Sequence, residues 1–159
     1  MNRAEIAATL KDATVSYWSH KRFSCFTEIA VNRWGKLRAD VLAVNLRGHV
    51  VLCEIKSSRA DYVSDNKWHK YKDYADTMYF VMPKSVYLKL ETRLKKDLKH
   101  TGIGVFILDP DTGYLKNVIS ARKYPINDDI RWELVIRMAW RSGESRRTRR
   151  QRRRHYGIE

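Results

Sequence analysis

The stretch of sequence that decides the fold is 37-LRADVLAVNLRGHVVLCEIK-56. Its two halves, residues 37–45 and 49–56, are rich in aliphatic side chains and flank the turn signal Arg47-Gly48. Such runs, separated by a short segment that contains glycine, are typical of a β-hairpin. The sequence therefore predicts two neighbouring antiparallel strands here.

Three charged residues, Asp40, Glu54 and Lys56, lie within these mostly apolar strands. Glu54 and Lys56 are two residues apart and therefore project from the same face of their strand. A three-residue loop with Gly48 in the left-handed conformation would place Asp40 directly opposite Glu54, with Cβ atoms roughly 4.5–5.5 Å apart. A two-residue loop would instead send the two carboxylates to different faces of the sheet. The hairpin register therefore decides whether the two acids form one site.

Two facing carboxylates in a mostly apolar sheet repel each other, and this raises the pKa of at least one of them unless a cation lies between them. Mg²⁺ is the natural candidate, with Mn²⁺ as a substitute, because it prefers oxygen ligands and needs only one or two protein carboxylates beside a substrate phosphate. Lys56 could stabilise the charge on that phosphate or orient an attacking water. The alternative is a structural cluster of buried salt bridges made by Asp40, Glu54 and Lys56.

The rest of the chain predicts an α/β protein with a mixed sheet. Apolar residues at helical spacing begin the chain, three successive strands follow, and helices then alternate with further strands up to a C-terminal hairpin and helix. Asn127 is placed to cap the last helix, and Ser64 or Asp65 is placed to cap a helix in which Trp68 and Tyr71 share one face. The predicted strands are residues 23–31, 37–45, 49–56, 77–82, 103–108 and 114–119.

The composition indicates a polyanionic partner. The chain has 159 residues, with 32 Lys+Arg against 18 Asp+Glu and a formal net charge of +14. This length predicts one compact domain, which we assign to residues 1–140. That body carries a net charge of +8. Such an excess of positive charge is typical of proteins that bind nucleic acid.

Residues 141–159 form a separate arginine-rich tail with a net charge of +6 and almost no apolar residues. Such a segment cannot bury enough apolar surface to offset the entropy of ordering, so we expect disorder until it meets an anion. Guanidinium groups pair well with phosphates, which favours nucleic-acid binding over a merely solvated tail. The arginines concerned are Arg146, Arg147, Arg149, Arg150, Arg152, Arg153 and Arg154.

No apolar run approaches the roughly 18–20 residues of a membrane span, and the N-terminal segment lacks the continuous apolar core of a secretory signal. We therefore expect no membrane association and a cytoplasmic protein, associated with the nucleoid or, for a virus, with the host cytoplasm. Cys25 and Cys53 lie in β-like apolar surroundings, where buried reduced thiols are the ordinary outcome.

The spacing of Asp40, thirteen intervening residues and then Glu54-Ile55-Lys56 resembles the metal-binding signature of the PD-(D/E)XK nuclease superfamily, with Ala39 where the signature has proline. The longer string over residues 38–83 is similar to the MmcB-like DNA-repair proteins. The shared features are Arg38-Ala39-Asp40, Glu54-x-Lys56-Ser57-Ser58, Asp61, Asp65-x-Lys67-Trp68, Tyr71 and Asp76.

The resemblance implies a restriction-endonuclease-like αβββαβ core with a metal-dependent nuclease site. In that site Asp40 and Glu54, together with the Ile55 backbone carbonyl, would bind the metal, and Lys56 would assist the attacking water. Glu28 matches an acidic position of the family and could add a ligand, or it could be an exposed charge on a strand.

Further residues near the signature are candidates for nucleic-acid contact. Lys67 and Tyr71 are four apart on the predicted helix and could contact phosphate together. Ser57 and Ser58 could hydrogen-bond the substrate or simply end the strand. The expected function is that of a Mg²⁺-dependent, structure-selective DNA endonuclease in repair or recombination. An inactive DNA- or RNA-binding module on the same fold is the alternative, and a homodimer stays open.

Overall fold

The computed structural model describes residues 1–143, which form a six-stranded sheet flanked by helices. The element order confirms the predicted mixed α/β fold. The elements are α1 (Arg3–His20), β1 (Ser24–Ala30), β2 (Arg38–Val44), β3 (Val50–Ile55), α2 (Arg59–Ser64), α3 (Trp68–Tyr71), a 3-10 turn (Lys72–Tyr74), β4 (Thr77–Pro83), α4 (Lys84–Asp97), β5 (Gly104–Leu108), β6 (Leu115–Ile119) and α5 (Asp128–Ser142).

The strands lie in the sheet in the order in which they occur along the chain. β3, β4 and β5 run parallel to one another, whereas β1 and β2 precede them as antiparallel neighbours and β6 closes the sheet antiparallel to β5. Parallel neighbours need a crossover connection. The α2–α3 segment connects β3 to β4, and α4 connects β4 to β5.

Two apolar clusters hold the helices against the sheet. α1 covers one face, where Leu10 and Trp18 pack with Val41 of β2 and with the odd-numbered residues of β3. The other helices cover the opposite face, where Leu52 and Phe80 lie in a larger cluster with Leu134 of α5. Each fully buried side chain of this size contributes about 1.5–3 kcal/mol of transfer free energy. Because strand residues alternate between faces, the even-numbered Glu54 shares the face of the larger cluster.

The segment after the signature differs from the predicted single helix. It forms two short helices, α2 and α3, and Ser58 rather than Ser64 or Asp65 is the N-cap of the first. The Asp65 backbone is extended and ends α2, and α3 then begins without a side-chain cap. The helical spacing of Trp68 and Tyr71 indicated the buried face correctly, but a break in the backbone at residue 65 leaves no trace in apolar periodicity.

The last helix begins where the sequence predicts. The Asn127 side chain accepts a hydrogen bond from the backbone N–H of Ile130, as an N-cap does. α5 continues through Ser142, so Arg141 belongs to the helix although we counted it with the tail. The seven other tail arginines proposed to bind nucleic acid, from Arg146 to Arg154, lie outside the described residues.

Within residues 1–143, no helix combines the length and the apolar character that crossing a membrane requires. Both cysteines are free thiols; Cys53 is fully buried and Cys25 partly so. Burial is the main reason why the pKa of each thiol lies above its ordinary value. The prediction of reduced cysteines in apolar surroundings is confirmed.

Candidate active site

The hairpin between β2 and β3 has the three-residue loop that brings the two acids together. Gly48 adopts a φ of 79°, and its N–H donates to the Asn45 carbonyl at 3.0 Å. Val41 pairs with Cys53, and the adjoining pairs keep the same register. The left-handed conformation is accessible to glycine at little cost, and for this reason the loop has this length. Of the two registers that the sequence left open, the structure has the one that places Asp40 opposite Glu54.

Asp40 and Glu54, hereafter the carboxylate pair, lie where the backbone ladder between β2 and β3 stops. The Asp40 N–H donates to Oε1 of Glu54 at 3.2 Å, and the Ile55 N–H donates to Oδ2 of Asp40 at 2.7 Å. The second oxygen of each carboxyl group makes no hydrogen bond with any residue among 1–143. Each acid therefore keeps one oxygen for a ligand while the other is held by a backbone amide.

Burial and mutual repulsion change the ionisation of the carboxylate pair. Glu54 is 5% exposed, and burial together with the neighbouring charge of Asp40 raises its pKa to about 9. Burial is also the main reason why the pKa of Asp40 is raised, and the hydrogen bond from Ile55 opposes it. In the metal-free protein at neutral pH, the pair therefore holds a proton that a cation could replace.

Lys56 lies beside the carboxylate pair and is held by an aspartate from the next segment. Its Nζ is 2.5 Å from Oδ2 of Asp65, and the two side chains are 7% and 12% exposed. The charge of Lys56 lowers the pKa of both Asp40 and Glu54, so its ammonium group lies within electrostatic reach of both acids. The break between α2 and α3 puts Asp65 at this position.

Glu28 approaches the site from β1 at an irregularity of the sheet. The pairing of β1 with β2 skips Glu28, which adopts a φ of 51°. A non-glycine residue in this region is uncommon and costs about 1–2 kcal/mol. Its Oε1 is 2.7 Å from Nζ of Lys11 on α1, and its charge raises the pKa of Asp40. Glu28 is therefore close to the pair but already bound by a lysine that our sequence reasoning missed, since nothing in a helical pattern distinguishes Lys11.

The two serines after β3 have local roles in the fold. The Oγ of Ser58 caps α2 by accepting from the Asp61 N–H at 3.1 Å. The N–H and Oγ of Ser57 both donate to Oδ2 of Asp61, at 3.2 and 3.4 Å. The geometry therefore supports the interpretation that these serines end the strand and start the helix.

Tyr71 and Lys67 differ in their relation to the site. Tyr71 is buried, and its hydroxyl donates to the Arg38 carbonyl at 3.0 Å. Burial, followed by the charges of Glu54 and Asp40, raises its pKa to about 12. Lys67 is exposed at the start of α3. Tyr71 thus supports the backbone next to Asp40, and of the two only Lys67 is free to contact a phosphate.

A second buried ionic cluster fixes the surroundings of the hairpin. Arg131 of α5 donates two hydrogen bonds to the Asp76 carboxylate, at 2.6 and 2.8 Å, and a third to the Gly48 carbonyl at 2.6 Å. Burial alone would raise the pKa of Asp76, but the hydrogen bonds from Arg131 and from two backbone amides hold it at about 2. Arg131 was missed from the sequence, and Asp76 was noted only as a family feature.

The donor set that the structure offers a metal consists of oxygens. Among residues 1–143 there is no group of three or more His, Cys, Asp or Glu side chains that could hold a metal. The Lys56 N–H donates to Val81 on β4 at 2.8 Å, so the preceding carbonyl, that of Ile55, points towards β2 and Asp40. Two carboxylates and a carbonyl suit Mg²⁺ or Mn²⁺, which keep several waters.

These features define a class of protein: a mixed α/β domain with a largely buried carboxylate pair and a lysine at the end of a central hairpin. The chain belongs to the MmcB-like family, whose description is "DNA repair protein MmcB-like" and whose match covers residues 1–144. Membership indicates a role in DNA repair. Among solved structures the chain resembles the SPO1766 protein of unknown function from Silicibacter pomeroyi, with a TM-score of 0.69 and 23% identity over 86% of this chain and 85% of that one. This similarity shows a common fold. No match was found among curated proteins.

Proposed function

We propose that this protein is a metal-dependent deoxyribonuclease of the PD-(D/E)XK superfamily that acts in DNA repair or recombination. The observation that carries the proposal is the carboxylate pair: the buried Glu54 and the partly buried Asp40 meet on one face, and each keeps an oxygen that forms no hydrogen bond with residues 1–143. Buried acids with raised pKa values beside a lysine are typical of catalytic sites.

Asp40, Glu54 and the Ile55 carbonyl would hold the cation, which we propose is Mg²⁺ with Mn²⁺ as a substitute. When bound, such an ion lowers the pKa of a coordinated water and polarises a phosphodiester. Lys56 would orient the attacking water or stabilise the charge on the scissile phosphate, and Asp65 keeps its ammonium group in place. Glu28 would act on the pair mainly through its charge, because Lys11 binds its carboxylate.

The basic body and the arginine tail support binding to the DNA backbone. Contacts of Lys and Arg with phosphates add affinity but carry little sequence information, so we propose recognition of DNA structure rather than of base sequence. Lys67 and the seven tail arginines are the proposed phosphate contacts. Cutting both strands of a junction would need two copies of the site, and hence a homodimer.

The test is cleavage of branched, nicked and linear DNA by the purified protein with Mg²⁺ or Mn²⁺. Asp40→Asn and Lys56→Met should each lower the rate by roughly a hundredfold or more, because each removes a group that binds the metal or stabilises charge in the transition state. Asp111→Asn and Lys89→Met are the matched controls, since both side chains are exposed and lie on other elements, between β5 and β6 and on α4. Parent-like cleavage by Asp40→Asn would show that the assigned site is wrong.

A second candidate is a DNA- or RNA-binding module without catalysis. One observation favours it: Lys56 has an ion-pair partner in Asp65, and each acid already accepts a backbone amide, so these side chains have structural contacts that need no metal. Calorimetry distinguishes the two functions. Absence of Mg²⁺ and Mn²⁺ binding in the presence of uncleaved DNA would favour the module.

A further inference from the structure

α5 exposes an apolar face that does not pack against the sheet or the other elements of residues 1–143. Leu134 and Met138 are buried against the sheet, whereas Trp132, Ile136 and Trp140 are 66%, 46% and 86% exposed. These three residues, hereafter the tryptophan face, follow one another at four-residue steps and so form one stripe along the helix. Contiguous exposed apolar surface of this kind marks an interaction site.

The tryptophan face borders a groove that also contains cations. Arg33, from the loop between β1 and β2, lines an open cavity of about 450 Å³ with Trp132, Ile136 and Arg137. Glu133 is the one acidic side chain among the residues that line it. Trp34, next to Arg33 on the same loop, is 79% exposed. The cavity thus combines an aromatic ring with two arginines, Arg33 and Arg137.

The same surface leads to the carboxylate pair. Near the C-terminal end of α5, Arg141 donates to the Glu28 carbonyl at 2.9 Å. Glu28 is the β1 residue whose charge acts on Asp40. The C-terminal end of α5 thus lies next to β1, the strand that neighbours Asp40 on β2.

We infer that the tryptophan face binds the bases of single-stranded DNA next to the cleavage site. This inference rests on the proposed function, because the choice of DNA follows from it. Single strands present unstacked base faces that stack on tryptophan, while arginines bind the backbone. Trp132 and Trp140 are eight residues apart in the helix, which spans about 12 Å, so one strand can contact both rings. The substrate would be DNA with a single-stranded arm.

A second copy of this chain fits the face less well. The tryptophan face exposes on the order of 400 Å², about half of the roughly 800 Å² per partner that stable interfaces bury. The flanking arginines Arg33 and Arg137 would also meet like charges in a symmetric pair. Single-stranded DNA, a polyanion with aromatic bases, matches both the apolar surface of the tryptophan face and the positive charge of the flanking arginines.

The test is binding of a fluorescein-labelled oligothymidine of about 15 nucleotides, a typical length for such sites, to the full chain in EDTA. Trp132→Ala/Trp140→Ala should weaken binding by roughly tenfold or more, while Trp132→Phe/Trp140→Phe should retain most of it. Tyr114→Ala, which removes another exposed aromatic ring, is the matched control and should bind like the parent. A duplex of the same length should bind the double alanine variant like the parent, because its bases are already stacked. The melting temperatures of all variants should agree.

Parent-like binding of oligothymidine by the double alanine variant would overturn the inference. An equal loss of single-stranded and duplex binding in that variant would also overturn it, as would tighter binding of oligouridine than of oligothymidine by the parent. A third contrary result would be a parent dimer that dissociates in the variant while DNA binding stays unchanged. Asp40→Asn separates this inference from the proposed function, since it should bind oligothymidine like the parent. If the parent cuts no DNA but the tryptophan variants lose oligothymidine binding, the nuclease proposal fails and the single-strand site stands.

Discussion

Glu54 illustrates how a single residue can reduce stability for the sake of a site. With its pKa raised to about 9, the folded protein keeps the proton on Glu54 at neutral pH, whereas the unfolded chain loses it near pH 4.5. Unfolding therefore releases a proton between these pH values, and the contribution of Glu54 to stability falls as the pH rises. An ionisable group at this position is consistent with selection for function rather than for stability.

Glu54→Gln should remove this pH dependence while keeping an oxygen that accepts the Asp40 amide. We expect the variant to become more stable relative to the parent by on the order of 2 kcal/mol between pH 5 and pH 7, since one pKa unit corresponds to about 1.36 kcal/mol. Urea unfolding in EDTA at both pH values measures it. If the stabilities of the parent and the variant changed with pH by the same amount, Glu54 would be ionised in the folded protein.

The contribution of Asp76 to stability depends on pH with the opposite sign. Its pKa is held at about 2, below the ordinary 3.8, by Arg131 and two backbone amides despite burial. The stability that it contributes is fully present above about pH 4 and is lost as the pH falls towards 2.

Asp76→Asn should therefore lower the free energy of unfolding by about 2 kcal/mol at pH 7 and by progressively less below pH 4. Urea unfolding as a function of pH, with the exposed Asp111→Asn as control, checks this. A deficit that stays constant down to pH 2 would contradict the assigned role.

At the scale of the elements, the β2–β3 hairpin carries the site. Its three-residue loop sets the register, and the register sets the distance between Asp40 and Glu54. The loop is also anchored from outside, because Arg131 of α5 donates to the Gly48 carbonyl. The conformation of Gly48 and the contact with α5 thus both fix the turn between β2 and β3.

Gly48→Ala should destabilise the protein by about 1–2 kcal/mol, because alanine is strained at a φ of 79°. Space is not the reason, since an added Cβ would lie 3.6 Å from Cδ of Arg131, an ordinary contact. Gly48→Asn should cost less, since asparagine tolerates this conformation. Thermal unfolding of the three proteins provides the measurement, and equal losses for alanine and asparagine would point to a cause other than φ.

At the scale of the whole molecule, the net charge of +14 is divided between residues 1–143, which carry +9, and residues 144–159, which carry +5. Binding to DNA should therefore depend strongly on salt. Replacing the seven arginines from Arg146 to Arg154 by glutamine should weaken duplex binding and reduce the slope of log K against log salt, by about 0.9 for each phosphate that the tail no longer neutralises. Fluorescence anisotropy over a range of salt concentrations measures the slope. An unchanged slope would show that the tail does not bind DNA. The tryptophan variants should leave the slope unchanged, because stacking involves no counterion release.

The sequence by itself determined the order of the strands and the presence of the hairpin, because these follow from local rules: strand residues alternate between faces, and Arg47-Gly48 marks a turn. It left two loop lengths, and hence two registers, open, and the structure has the three-residue loop. The resemblance to the family motif identified the carboxylate pair and Lys56 as the candidate site. Only the tertiary structure decided which groups surround that pair. Asp65 reaches Lys56 because the helix breaks after α2, Lys11 meets Glu28 because α1 packs against the sheet, and Arg131 finds Asp76 from 55 residues away. Partners of this kind depend on how distant segments pack, and neither periodicity nor composition encodes that.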